Sequence, residues 1–417
     1  MLNILINAYA VSPDWGSEQG MGWNWIKAIA KHCRVFVITE GQWKDEIEKA
    51  VSQLACKDNV SFHYLPVSER VRRMCWNQGD WRFYIHYAIW QRKALTLARQ
   101  IMSGHHIDII HQLNMVGFRE PGFLWKIKGI PFVWGPIAGA QTIRLDYLSD
   151  ETLPKKAAYR LKNLLNRLQF SFSPRVSEAL HRSSAIITPI QEMESMLKGR
   201  VSAEVLLIPE SGLDGECADL NEMPGHDRNC LDILWVGRFI RTKQLSLALE
   251  AVARIPEDKP VRFHIVGFGS NTEEKHLHDL AEKLGVENKC IWYGKTANSE
   301  VKEMMKCMDV LLFTSIYEVT STVVPEAIQA RLPIICHDMF GFGPLVSEKI
   351  GWKIPCISPE ESIERFGSIL SRLATDKTEL KEMKRNFDPT GASLNYDAKG
   401  KAMFELYSSL LENKKQC

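Results

Sequence analysis

The chain has no apolar run approaching the roughly 18 residues that a membrane-spanning helix requires. Its N-terminus, Met1-Leu2-Asn3-Ile4-Leu5-Ile6, lacks the basic region and the small-residue cleavage site of a signal peptide, and reads as a first β-strand. Its ten cysteines are scattered without a Cys-x-x-Cys pair, which excludes a zinc ribbon and argues against a disulfide framework. Several of them, Cys290 and Cys336 among them, stand in strand-like apolar runs, as expected of buried thiols in a reducing cytosol. No Asp-x-Asp pair occurs anywhere, in keeping with a site that works without a metal. A complete Gly-x-Gly-x-x-Gly is missing too: Val266-Gly267-Phe268-Gly269-Ser270 lacks the third glycine and an acid at the end of the next strand, so a dinucleotide site has weak support.

What is present is a globular composition, 45% hydrophobic and 24% charged, over 417 residues, a length that suggests two or three domains. The formal net charge of +2 is unevenly distributed, with about +8 over residues 1–208 and −6 over the remainder. Both halves alternate short β-rich runs with amphipathic helical stretches, the pattern of doubly wound parallel α/β sheets. Strands are expected near 2–8, 34–39, 60–65, 107–111, 131–134, 184–188 and 204–208, with helices at 20–32 and 80–103. Residues 209–230, with Pro209, Gly212, Gly215, Pro224 and Gly225, read as a linker and hinge. The alternation restarts with strands at 231–236, 261–266, 290–293, 309–313 and 333–337 and helices at 243–255 and 272–284. An amphipathic helix follows at about 397–413. The expected domains are therefore 1–208, 231–396 and a closing helix within 397–417. Ligands of open α/β sheets bind beyond the C-terminal strand ends, so chemistry is sought in the loops that follow the strands.

The most informative stretch is Asp309-Val-Leu-Leu-Phe-Thr-Ser-Ile-Tyr-Glu318-Val-Thr-Ser-Thr-Val-Val-Pro-Glu326. A strand ends near Phe313, a loop carries Glu318, and a helix begins near Thr322, with Pro325 tolerated in its first turn. Free amides at that start suit a diphosphate, and a carboxylate can grip paired hydroxyls. Taken alone, Glu326 could equally complement the helix dipole and Glu318 be solvated. A second element, Leu234-Trp-Val-Gly237-Arg238-Phe-Ile-Arg-Thr-Lys243, places two cations after a glycine turn, where they could neutralise phosphates in place of a metal. An ordinary basic loop would look the same.

Two further elements lie in the first half. The turn from Asn7 to Trp23, with Gly16, Gly20 and Gly22, allows backbone to approach a ligand. Asp14 and Glu18 beside it favour a hydroxyl-rich ligand over a bare pyrophosphate, and purely structural glycines are the alternative. Asp108-Ile-Ile-His111-Gln-Leu-Asn114 ends a buried strand; His111 could orient or deprotonate a hydroxyl, or be structural, with Asn114 as its rival.

These elements, in this order, resemble the retaining family 4 glycosyltransferases (glycosyl transferases group 1) of the GT-B fold, in which two Rossmann-like domains face each other across a cleft. The similarity is strongest over about 231–356. The resemblance implies that Arg238 and Lys243 bind the donor diphosphate after Gly237 and that Glu326 binds the ribose. It further implies that Glu318 contacts the sugar near the reacting carbon and that Gly16 approaches phosphate and acceptor. The backbone at Thr322 and Val323 would hold the departing phosphate, and the last helix would cross back to the N-terminal domain. The chain departs from the family in having Val319-Thr320-Ser321 where Gly-Phe-Gly is usual, Gln244 where glycine follows the lysine, and a lone His111 in place of His-x-His.

The function thus implied is transfer of a sugar from a UDP- or GDP-sugar, without cofactor or metal, to a hydroxyl of a glycan or lipid-linked glycan. A bacterial surface polysaccharide such as lipopolysaccharide is the expected setting. Alternatives are a sugar-nucleotide epimerase or phosphorylase of the same fold, a non-catalytic nucleotide-sugar binder, and a dinucleotide-dependent oxidoreductase; no lysine is placed for a pyridoxal cofactor. Nucleic acid is not an expected partner. Segment 153–175 carries six basic residues and no acid, with leucines at helical spacing, and residues 70–99 mix arginines with aromatics. Both suit an anionic membrane surface, peripherally on the cytoplasmic face, or else are helices whose apolar sides pack on the core.

Overall fold

The computed structural model describes the chain except residues 16, 77–79, 150, 214–216, 220–228, 319–320, 388–393 and 417. It divides into two compact units. The first comprises Met1–Gln141, Leu164–Gly212 and Ala392–Cys417; the second comprises Thr142–Asn163 and Leu213–Gly391.

Seven strands build the sheet of the first unit: β1 (Asn3–Ala8), β2 (Arg34–Thr39), β3 (Val60–Tyr64), β4 (Ile109–Asn114), β5 (Phe132–Trp134), β6 (Ala185–Thr188) and β7 (Glu204–Leu207). They are ordered β3-β2-β1-β4-β5-β6-β7 and pair in parallel throughout. In the second unit, β8 (Leu231–Val236), β9 (Val261–Val266), β10 (Cys290–Gly294), β11 (Val310–Phe313), β12 (Ile334–His337) and β13 (Gly351–Ile354) form a parallel sheet in the order β10-β9-β8-β11-β12-β13. Both orders run outward from a first strand in two directions, the doubly wound arrangement. Its switch points lie between β1 and β4 and between β8 and β11.

The central strands are buried nearly along their whole length, as expected of parallel strands covered on both faces, and carry polar residues such as Asn7, His111, Gln112 and Asp232 within that burial. All of β4 is buried, as is β8 from Leu231 to Trp235. In the second unit the core includes Ile233, Trp235, Phe263, Ile265, Leu312 and Phe366.

Residues 142–163 lie inside the span 1–208 but group with the second unit. Ile143, Tyr147 and Leu148 are buried in that unit's core. The Tyr147 hydroxyl lies 2.7 Å from Ser362 Oγ, and Gln244 Nε2 donates to the Tyr147 carbonyl at 2.8 Å. Within the first unit the terminal helix Tyr396–Gln416 packs on the helix Ser17–Ala30. Gly400 permits the contact, since a Cβ there would meet the Ala28 carbonyl oxygen at 2.3 Å. Buried Lys399 on that helix donates to the carbonyls of Pro209 (2.7 Å) and Ser211 (2.5 Å), which fastens the first residues of the expected linker to the first unit.

Candidate nucleotide site in the second unit

Backbone hydrogen bonds stitch together the loops that follow β8, β9 and β10. Gly237 N donates to Val266 O (3.0 Å), Phe239 N to Phe268 O (2.8 Å) and Gly267 N to Gly294 O (3.0 Å). Gly267 has φ +151, and a Cβ on it would lie 1.7 Å from the Gly237 carbonyl oxygen, so the junction requires glycine. Over this junction opens a cavity of about 250 Å³ whose lining includes Gly237, Arg238, Phe268, Lys295, Asn298 and Glu326. The walls also include Thr322 and Val323, at the start of the helix Val323–Gln329.

Glu326 stands in the first turn of that helix, and its Oε1 accepts from Asn298 Nδ2 at 3.0 Å. Lys302 Nζ is 4.0 Å away. Burial pushes the Glu326 carboxyl above its ordinary range, while Asn298 and Lys302 pull the other way. The guanidinium of Arg238 is exposed at the cavity edge, and the Lys295 ammonium lies 5.5 Å over the Phe268 ring. The site is thus a pocket with cationic edges, a helix start and one carboxylate able to take paired hydroxyls.

Lys243 and Glu318 do not line this cavity; they form an ion pair with each other. Their loops are joined at the switch point, where Ile316 N donates to Thr242 O at 2.9 Å. Trp235 Nε1 donates to Thr314 Oγ1 (3.0 Å), which lies 2.9 Å from the carbonyl oxygens of both Lys243 and Gln244. Gln244 adopts φ +54, a left-handed conformation that costs a side-chain-bearing residue about 1–2 kcal/mol. Its amide nitrogen offsets that cost through bonds of 2.8 Å to the Tyr147 and Arg241 carbonyls, which gives a physical account of glutamine where glycine is usual. Ser321 Oγ accepts from Val323 N at 3.1 Å, so a serine side chain holds one of the amides expected to face phosphate. Val319 and Thr320 lie outside the described residues, as does Gly16.

His111 requires a correction. It is wholly buried in the first unit, with Nδ1 2.7 Å from the Tyr407 hydroxyl and Nε2 2.7 Å from the Gly135 carbonyl. Both ring nitrogens are engaged, and burial lowers its pKa to about 4. A neutral, enclosed imidazole is a packing and hydrogen-bonding element, not a base for a ligand hydroxyl. Asn114 is equally buried, with Nδ2 donating to Ala10 O at 2.7 Å.

Gly267, Phe268, Lys295 and Asn298 were not singled out as ligands from the sequence. The first two belong to the Gly-x-Gly stretch discounted as a dinucleotide signature, and the others follow the strand expected at 290–293 in a segment without a motif of its own.

Residues 222–387, less than half of the chain, match the glycosyl transferases group 1 family, and the match contains every cavity residue named above. Among curated proteins, the 2-deoxystreptamine glucosyltransferase of Streptomyces kanamyceticus is 23% identical over 265 residues, 60% of this chain and 65% of that protein. The lipopolysaccharide glucosyltransferase WaaG of Escherichia coli is 28% identical over 116 residues, 28% of this chain and 30% of that protein. The chain therefore spans less than two thirds of the length of these relatives. Of solved structures, Anabaena HepE in complex with UDP superposes with a TM-score of 0.60 at 14% identity, over 98% of this chain and 100% of that one. That likeness establishes the fold: two Rossmann-like α/β units of the GT-B class.

Proposed function

We propose that the chain is a retaining, metal-independent glycosyltransferase that moves a sugar from a UDP- or GDP-sugar to a hydroxyl of a glycan or lipid-linked glycan. A bacterial surface polysaccharide is the proposed destination. The observation that carries this reading is the cavity that joins Arg238, the helix start at Thr322 and Val323, and Glu326 within the region matching the group 1 family. HepE, solved with UDP, and WaaG, a lipopolysaccharide glucosyltransferase, support the donor and acceptor classes by analogy.

In this reading Glu326 accepts both ribose hydroxyls, and Arg238 and Lys243 neutralise the diphosphate as it departs. Glu318 contacts the donor sugar near the reacting carbon. The acceptor oxygen bonds to the anomeric carbon as the carbon–phosphate oxygen bond breaks, and the departing phosphate takes the acceptor proton. No protein nucleophile is needed, and closure over the donor excludes water, the competing acceptor. A cytoplasmic setting is supported by Cys33 and Cys336, which are buried as free thiols.

Calorimetric titration with UDP, GDP and their glucose and mannose conjugates tests the proposal. One nucleotide series should bind in the presence of EDTA. Glu326→Gln and Arg238→Ala should each weaken it by about 10- to 100-fold while the protein stays folded, as expected for lost charge-assisted hydrogen bonds. Absence of binding by either series, or unchanged affinity in both variants, overturns the reading.

A further inference from the structure

Residues 142–163 form a strap within the second unit that is closed on itself, since Asn163 exchanges two 2.9 Å bonds with the backbone of Ile143. One side of the strap is fastened to the segment after β13. Arg144 donates to the carbonyls of Cys356 and Ile357. The Tyr147 hydroxyl donates to the Ser358 carbonyl at 2.9 Å and lies 2.7 Å from Ser362 Oγ. Leu148 is buried in the unit's core beside these contacts, so the strap is seated by apolar burial as well as by polar bonds.

The same strap meets both loops of the switch point. Gln244, the residue after Lys243, donates from Nε2 to the Tyr147 carbonyl at 2.8 Å. Arg241, two residues before Lys243, has its Nε 3.6 Å from the buried carboxylate of Glu151. On the other loop, the Lys162 ammonium lies 5.4 Å over the ring of Tyr317, the residue before Glu318. Sequence neighbours of both members of the Lys243–Glu318 pair are therefore held by one strap. Gln244 makes its contact from φ +54, a conformation that glycine would adopt without strain. What glutamine gains there is the bond to the strap, and its side chain is buried in making it.

We infer, on the reading above that Lys243 meets the donor diphosphate, that residues 142–163 are a positioning element for this lysine and that Gln244 is the residue through which they act. The strap fixes the backbone of Lys243 before any ligand arrives, so less conformational freedom is lost when the ammonium engages phosphate. Tyr147 and Gln244 are positioning residues: they act through Lys243 and not on the diphosphate. The contact with Tyr317 holds the loop of Glu318 in the same frame, which keeps the cation and its carboxylate partner in register.

Gln244→Gly tests this in the full chain, because glycine takes the backbone angle without strain and the variant keeps its fold. Calorimetry with UDP and GDP should show the diphosphate that binds the parent weakened by about three- to tenfold, the share of one hydrogen bond. The same change in a Lys243→Met background should make no further difference, an outcome that a merely structural role for Gln244 would not give. Tyr147→Phe, which loosens the strap at Ser358 and Ser362, should weaken binding by roughly twofold in the parent and not in Gln244→Gly. Hydrogen exchange of the free protein reads the loop without nucleotide. The amides of Lys243 and Ile316, bonded to the carbonyls of Ile240 and Thr242, should exchange at least about fivefold faster in Gln244→Gly. Unchanged exchange in that variant, or a loss of affinity that persists in full without Lys243, overturns the inference. Faster exchange in a protein that binds neither diphosphate would instead overturn the sugar-transfer reading while upholding the strap's hold on Lys243.

Discussion

The ammonium of Lys243 is paired with the carboxylate of Glu318, while Glu318 Oε2 is buried with no hydrogen-bond partner among the described residues. The cation assigned to donor phosphate and the carboxylate assigned to donor sugar are therefore each other's partners, and one carboxylate oxygen is left over. An unsatisfied buried acceptor is costly, and a hydroxyl placed there would satisfy it.

This pairing predicts different effects for the two residues. Lys243→Met should weaken binding of the nucleoside diphosphate about tenfold. Glu318→Gln, which releases the ammonium, should leave that affinity within threefold or tighten it, yet abolish most turnover. Calorimetry with the diphosphate and a steady-state transfer assay separate the outcomes; equal losses of diphosphate affinity in both variants would refute the assignment.

Gly267→Ala should destabilise the second unit by about 2–4 kcal/mol, because the new Cβ must enter the space of the Gly237 carbonyl at an unfavourable φ. Denaturant unfolding measures the loss, and nucleotide affinity should fall with it as the loops after β8 and β9 separate.

His111→Gln should act on stability and leave the turnover of folded protein near its normal value. Burial lowers this imidazole to about 4, so its neutral form contributes stability that is present above about pH 6.5 and is lost as pH falls toward 4. His337, buried in the second unit, behaves alike at about 4. Thermal melts across pH 4–7 should be less steep for the variant than for the parent.

Glu18 gives the opposite sign. Burial and the neighbouring Glu210 push its carboxyl up to about 7, against the opposing bond from the Val116 amide. A raised acid contributes stability that is full below its unfolded pKa near 4.5 and is lost as pH rises through 7. Glu18→Gln keeps an acceptor for that amide, so its melting temperature should exceed the parent's at pH 8 and match it near pH 4.5.

Much of the fold was legible in the chain because buried parallel strands such as Arg34–Thr39 and Leu231–Val236 are largely apolar runs. β13 escaped notice because Gly351-Trp-Lys-Ile is four residues long and half polar. The cavity's Gly237, Arg238 and Glu326 were found from turn and helix-start chemistry, which is local in sequence. Lys295 and Asn298 were not, because their place at the pocket depends on how β10 pairs with β9.

Sequence alone determined the two alternating α/β halves, the cations after Gly237 and the glutamates around the next switch-point helix, since periodicity and capping act over a few residues. Tertiary structure decided what those side chains meet. It turned His111 into a buried link to Tyr407, bound Lys243 to Glu318, and joined residues 142–163 to the second unit through Ile143 and Tyr147. It also set which side of the helix Leu153–Phe172 faces out, because a helical pattern marks an apolar stripe without saying whether protein or another phase will cover it.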